Sequence, residues 1–295
     1  MREAMKENVF ITGVCGFIGS RLAEEAVRQG YGVAGLAHCA RSVPGAAVTV
    51  GDIRDRELVR KASEGADYFI HLAAVTSNVE FESKTDYSFD VNVGGFFSAV
   101  EAAKSNGCRK FLYASSAAIY LDSFSESGVI PFNAQNNHYA KTKMMNEMIA
   151  ASCSAVSGMP VLGLRFFNVY GPGENRKGNY ASIISQFVSA LKSGRELVVY
   201  GDGSQARDLI HVNDVAAITL KLMKSDATGV LNVGTGEATS YEEIADSINS
   251  AKKVHERNPL SSYQHLTRAD TAELFRHIGP HKFISVSEGI RMLLS

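Results

Sequence analysis

The chain has 295 residues, 45% of them hydrophobic and 21% charged, and Lys+Arg 30 against Asp+Glu 31 gives a formal net charge of -1. That length fits one large α/β domain, or a nucleotide domain with a smaller second lobe, and the apolar share can fill a sizeable core. The near-neutral balance excludes a global field that would gather nucleic acid or a membrane surface, so any anionic ligand must be held by local groups.

Taken in order, Met1 to Glu7 is charged and lacks an apolar signal core, and no run approaches ~18 uninterrupted apolar residues, so a cytoplasmic protein with no membrane partner is expected. Val9 to Ile11 reads as a buried parallel strand that stops at Thr12-Gly13. Glycines recur at Gly13, Gly16 and Gly19, and a helix pattern runs from Phe17 to about Gln29. In such a loop one glycine permits the tight turn, a second lets the backbone approach a pyrophosphate, and a third lets helix and strand pack closely. The helix amino terminus then faces the phosphates with free N–H groups and a positive dipole end.

Tyr31 to Ala37 is expected to be a second strand, Ala46 to Val50 a third, Asp55 to Ser63 a helix and Ala66 to Leu72 a fourth strand. A long helix is expected over Thr85 to Ser105, a strand over Arg109 to Ala114, a helix over Tyr139 to Val156 and a strand over Val161 to Phe166. This alternation specifies a doubly wound parallel sheet covered on both faces. From Asn168 turn chemistry and less regular alternation take over. The expected division is a dinucleotide-binding Rossmann domain over 1–167 and a small C-terminal α/β substrate lobe over 168–295, with 209–233 returning to the first domain. The widely spaced Cys15, Cys39, Cys108 and Cys153 form no Cys-x-x-Cys pair and read as free thiols; no metal is expected.

Tyr139 and Lys143 lie four residues apart, so a helix places them on one face, where an ammonium can favour the phenolate that takes a hydroxyl proton. Upstream, Ser115-Ser116 closes a strand, and the carboxyl ends of strands are where ligands bind in open α/β sheets.

With these motifs the chain resembles the extended short-chain dehydrogenase/reductase superfamily, in its nucleotide-sugar epimerase/dehydratase branch. The resemblance covers Thr12 to Gly19, Gly51-Asp52-Ile53, His71 to Ala74, Asn92-Val93, Ser115 to Tyr120, Tyr139-x-x-x-Lys143, Arg165 to Gly173, Arg207 to Val215 and Leu231 to Gly236. It implies Tyr139 as base, Lys143 as its pKa-lowering partner and ribose ligand, and Ser116 as the hydroxyl that orients the reacting oxygen. It assigns Gly13, Gly16, Phe17, Ile18 and Gly19 to the pyrophosphate, and Asp52 and Ile53 to the adenine. Leu72, Ala73, Ala74 and Asn92 complete the cofactor set. Asn168, Asn179 and Arg207 are expected at the sugar nucleotide, with Val198 and Tyr200 near its base.

The second strand ends in Ala37-His38-Cys39-Ala40-Arg41 with no acid for the adenosine ribose, so His38 and Arg41 are expected to tip the choice between NAD and NADP slightly towards NADP. Ser116-Ala117-Ala118 replaces the Thr-Asp-Glu run of sugar-nucleotide dehydratases, which argues against water elimination. Arg176 to Ser182 and the stretch from Ser262 also resemble ADP-heptose 6-epimerases, where Lys177 would match a second acid/base. The resemblance therefore implies epimerisation of a nucleoside-diphosphate sugar, foremost at carbon 4, by a homodimer built on the two long helices. A 6-epimerase, a net reductase or dehydrogenase, and a non-catalytic dinucleotide-sensing protein are the alternatives.

Overall fold

The computed structural model describes residues 6–120, 129–174, 181–257 and 264–295. β1 (Asn8–Thr12) is buried from Val9 onward, as an apolar run in a doubly covered sheet must be. It leads through the glycine turn into α1 (Phe17–Arg28), whose Gly19, Leu22, Ala23 and Ala26 form the buried stripe. β2 (Gly32–Ala37) and β3 (Ala46–Val50) come next. In α2 (Arg56–Ala62) the Asp55 side chain caps the amino end by accepting from Leu58 N at 3.0 Å. β4 (Tyr68–His71) is buried at every position.

The helix expected over Thr85 to Ser105 is not one regular helix. After a short α3 (Asn78–Ser83), α4 (Thr85–Phe89) passes into a π-helical turn, Asp90–Gly94, before α5 (Gly95–Ser105) resumes. The cause is visible in what the turn holds. Asn92 Oδ1 accepts from Val75 N at 2.7 Å, its Nδ2 donates to Val75 O at 2.9 Å and Thr142 Oγ1 at 3.1 Å, and its own carbonyl accepts from Asn146 Nδ2 at 3.0 Å. Gly95 then lets the helix close on Ile53, whose Cγ2 lies 2.7 Å from where a Cβ would sit.

β5 (Lys110–Ser116), α6 (His138–Ser157) and β6 (Val161–Phe166) complete this half. Asn137 caps α6 by accepting from Ala140 N, and Gly158, at φ +70, ends it. β7 (Asn168–Tyr170), α7 (Ile183–Lys192), β8 (Leu197–Tyr200) and β9 (Ala206–His211) come after it. The rest is α8 (Val212–Lys224), β10 (Gly229–Val233), β11 (Ala238–Ser240), α9 (Tyr241–Asn249), β12 (Lys253–Glu256), α10 (Ala272–Ile278) and α11 (Val286–Leu294).

The main sheet is seven-stranded and parallel, in the order β3-β2-β1-β4-β5-β6-β10. Strand order reverses between β1 and β4, and the crevice beyond the carboxyl ends of those strands is where an open α/β sheet binds ligands. One compact unit comprises the described residues of 1–119, 131–165 and 216–231; the other comprises those of 120–130, 166–215 and 232–295. The first has a core rich in rings: Phe10, Phe69, Phe96, Phe111 and Tyr113. Within it Lys110 is buried and donates to Leu222 O at 2.8 Å and Ser225 O at 2.9 Å, closing the carboxyl end of α8; burial pushes its amine down to about 8.

The second unit carries a three-stranded sheet, β11-β9-β7, and the pair β12-β8, around Tyr170, Ile184, Phe187, Leu197 and Leu209. The return to the first unit, expected from Leu209, begins later. Residues 206–211 belong to the small sheet, and Ala216 is the first residue of the return. Asp208 organises this sheet. Its buried carboxylate accepts from Thr235 N at 2.8 Å, Gly236 N at 2.9 Å and Ala269 N at 3.0 Å, although burial raises its pKa. Asp208→Ala strands these buried donors, and is expected to remove ~2 kcal/mol and lower the melting temperature by about 5 °C. Scanning fluorimetry reads this directly, and unchanged melting would show that the carboxylate is not the anchor of the loop.

Candidate active site

In the first unit the glycine loop is shaped by close approach. Gly13 sits at φ +71, and a Cβ there would lie 2.9 Å from Ala73 N; a Cβ on Gly19 would meet the Gly13 carbonyl at 2.1 Å. Thr12, given no role by the sequence, locks the same corner. Its Oγ1 accepts from Leu72 N at 3.2 Å and Ala73 N at 3.3 Å and lies 2.9 Å from His71 Nδ1. Burial pushes the His71 imidazole down to about 3, so it is a neutral ring. Gly16 is exposed and no side chain caps the amino end of α1 there. A bare helix amino terminus behind a glycine turn with no Cβ to obstruct it fits a pyrophosphate.

Around this loop the expected cofactor residues divide. Phe17, Ile18, Leu72, Ala73 and Ala74 are half-buried, while Ile53 is a core residue. Asn92, with its amide bonded to Val75 and Thr142, braces the segment after β4 and presents no spare polar atom. The Asp52 carboxylate is clasped by Arg54 (Nη2 at 2.6 Å), which holds it below the usual carboxylate range. His38 and Arg41 are exposed; Arg41 Nη1 donates to Cys15 O at 3.3 Å and Cys15 Sγ donates to Arg41 O at 3.1 Å. A separate hollow of about 340 Å³, lined by residues 8–10, 32–34 and 62–66, contains none of these groups.

At the carboxyl end of β5 the structure brings Ser116, Tyr139 and Lys143 together. The Ser116 hydroxyl favours the charged form of the Tyr139 phenol, and Lys143 Nζ lies 5.5 Å from the Tyr139 ring centre. Lys143 is 2% exposed and donates to Ala114 O at 2.8 Å; burial pushes its amine down to about 8, against the opposing pull of Glu147. The expected lowering of the tyrosine by this lysine is not what the geometry gives. Burial raises the Tyr139 phenol, and Ser116 offsets only part of the rise. The lysine's short contact is with a β5 carbonyl rather than with the phenol oxygen.

In the second unit Val198 and Tyr200 share one face of β8, outward from the fully buried Leu197 and Val199. The Arg207 guanidinium lies 5.4 Å over the Tyr241 ring and donates to Ala206 O and His265 O. Arg207 and Asp208 do not pair with each other, because Asp208 faces the 235–236 loop. Asn168 Nδ2 donates to Thr267 Oγ1 at 2.9 Å and Asp208 O at 3.3 Å. Lys177 and Asn179 lie outside the described residues.

The geometry of the glycine turn makes Gly13→Val a direct test of the cofactor corner. The φ of +71 and the 2.9 Å approach to Ala73 leave no room for a branched side chain. Its affinity for NAD by isothermal titration is expected to fall by more than about tenfold, ~1.4 kcal/mol; undiminished binding would place the dinucleotide elsewhere.

Residues 9–234 match the family described as "Epimerase: NAD dependent epimerase/dehydratase family". The chain is 31% identical over 271 residues to a UDP-N-acetyl-alpha-D-glucosaminuronate decarboxylase of Bacillus cytotoxicus, covering 85% of this chain and 84% of that one. It is 29% identical over 254 residues to a putative UDP-glucose 4-epimerase of Methanocaldococcus jannaschii, covering 81% of each. The Thermus thermophilus UDP-glucose 4-epimerase, solved in complex with NAD, superposes with a TM-score of 0.83 at 26% identity over 97% of both chains. The chain belongs to the NAD-dependent epimerase/dehydratase family of nucleotide-sugar enzymes.

Proposed function

We propose that the protein is a UDP-sugar 4-epimerase. Bound NAD would supply the hydride acceptor for the sugar carbon and the donor that returns the hydride to its other face. Tyr139 takes the hydroxyl proton and gives it back, Ser116 holds the reacting oxygen, and the Lys143 ammonium offsets charge that develops on the phenol. The observation that carries this reading is the junction of Ser116, Tyr139 and Lys143 at the carboxyl end of β5. Ala117 and Ala118 follow Ser116 where elimination chemistry would need acids, which favours returning the hydride over expelling water. In the second unit, Arg207 and Asn168 are assigned to the diphosphate, and Val198 and Tyr200 to the base.

NAD is the assigned cofactor. The NADP preference drawn from Ala37 to Arg41 has no support among similar proteins, three of whose structures were solved in complex with NAD. A second reading, decarboxylation of a UDP-hexuronate, is favoured by the 31% identical decarboxylase. Both chemistries begin by oxidising the same region of the sugar.

Mass spectrometry and NMR of purified protein incubated separately with UDP-glucose, UDP-N-acetylglucosamine and UDP-N-acetylglucosaminuronate distinguish them. An epimer of unchanged mass, without net change in nicotinamide absorbance, is expected. Loss of carbon dioxide from the uronate alone would replace the first reading with the second. Tyr139→Phe is expected to lower kcat by about 10²–10⁴-fold, and near-normal turnover would remove Tyr139 from the mechanism. Because the Lys143 amine lies near 8, below its ordinary value, its charge is present below that pH and lost above it. kcat/KM is therefore expected to decline on the alkaline side with a midpoint near 8.

The assembly assigned is a homodimer through α5 and α6, where Phe97, Met148 and Val156 are 37%, 69% and 81% exposed. Met148→Glu is expected to shift the light-scattering mass from dimer towards monomer, and a wild-type monomer would end that assignment.

A further inference from the structure

Behind Lys143 the first unit holds a polar cluster that the proposed chemistry leaves unused. Glu147 lies one turn beyond Lys143 on the same face of α6. Its Oε1 accepts from Ser115 Oγ at 2.5 Å and Arg165 Nε at 2.9 Å, and its Oε2 accepts from Arg165 Nη2 at 2.7 Å. The two charged side chains are 14% and 18% exposed, so this is a forked, largely dry ion pair. Three elements build it. Ser115 comes from β5, next to Ala114, whose carbonyl takes the Lys143 ammonium, and Arg165 comes from β6. Gly163, two residues earlier on β6, leaves room for the Tyr113 ring, whose hydroxyl would meet a Cβ there at 2.5 Å.

We propose that Glu147, fixed by Arg165 and Ser115, is a positioning residue that keeps Lys143 charged and aimed at the head of β5. The inference rests on the reading of Tyr139 and Lys143 as the acid/base pair. An ion pair this buried is seldom retained for stability, since its desolvation cost rivals its attraction. Held rigidly one helical turn from Lys143, its carboxylate acts on the ammonium through the field rather than by contact. Among the groups around Lys143, Glu147 alone raises the amine while burial lowers it. The Tyr139 ring on α6 lies 5.5 Å from the ammonium, and neutral His71 on β4 is a group whose protonation Lys143 opposes; the Tyr113 hydroxyl on β5 feels Glu147 and Arg165 in turn. Without the carboxylate, Lys143 loses the group that raises its amine, and burial drives the proton off it.

The test reads Lys143 itself. The ¹³Cε resonance of Lys143, assigned by its loss in Lys143→Met, is titrated in cofactor-free protein, and the alkaline limb of kcat/KM is followed in the loaded enzyme. Glu147→Gln is expected to move the Lys143 midpoint down from about 8 by about one pH unit. Arg165→Met, which leaves the carboxylate unpaired, is expected to move it up. The limb should track each displacement, kcat at neutral pH should fall in Glu147→Gln with KM little changed, and Glu147→Asp should recover part of the loss. An unmoved midpoint in Glu147→Gln, or displacement of both variants in one direction, overturns the proposal. If Glu147→Gln does not fold, the upward shift in Arg165→Met decides alone. A shifted resonance with a stationary kinetic limb upholds the coupling and faults the acid/base reading instead.

Discussion

The corner where β1 and β4 meet is the constraint on which the candidate cofactor site depends. Thr12 Oγ1 takes the backbone N–H groups of Leu72 and Ala73, and Gly13 turns away at a positive φ because Ala73 N leaves no space for a Cβ. One hydroxyl and one missing methyl therefore fix two segments at once: the turn that exposes the amino end of α1, and the Leu72–Ala74 stretch beside it. Asn92 then fixes the far end of that stretch through Val75 and reaches α6 through Thr142. A chain of short polar contacts thus links the glycine loop to the helix that carries Tyr139 and Lys143. Each link is short enough that small displacements at one end have to be absorbed at the next.

Much of this was legible in the residues. Alternation of apolar runs with helical patterns identified the parallel sheet, because buried strands have little choice but Val, Ile, Phe and Leu. β3 and β6 have the bounds the sequence suggests, and Tyr139 and Lys143 share the face that their spacing requires. What was not legible is pairing across distance. Nothing near Glu147 announces that Arg165 and Ser115 converge on it, although its place one turn after Lys143 was a usable clue. Asp208 follows Arg207 directly in sequence, yet β-strand alternation sends the two side chains to opposite faces, and the carboxylate meets backbone donors from 27 to 61 residues away. The π turn was hidden for a related reason. The apolar pattern over 85–105 is helical, and the weak helix formers Val91-Asn92-Val93-Gly94-Gly95 show only where it could yield, while the tertiary demands on Asn92 and Gly95 decide that it does.

The head of β5 shows how burial and function pull against each other. Tyr139 and Lys143 are both moved towards their neutral forms, the tyrosine upward and the lysine downward, by loss of water. Lys143, at about 8, still holds its charge at neutral pH, whereas the raised Tyr139 phenol stays protonated there. Charge has to be returned by neighbours, and Ser116 on one side and Glu147 on the other are the groups in position to do so.

The π turn at Asp90–Gly94 has a consequence for how this helix tolerates change in length. An α-helix advances about 100° per residue, and a π turn absorbs one extra residue while the helical segments on its two sides keep their phase. Asn92 faces Val75 and α6 while α5 keeps Phe96, Val100 and Ala103 in the core, so both orientations hold only while the surplus residue is present. Deleting one residue between Asp90 and Gly94 would restore a smooth helix with α4 and α5 still in phase, but would cost Asn92 its place opposite Val75 and Thr142. The irregularity is thus a register mark: it stores, in the count of residues rather than in their identity, the alignment between the scaffold and the loop after β4.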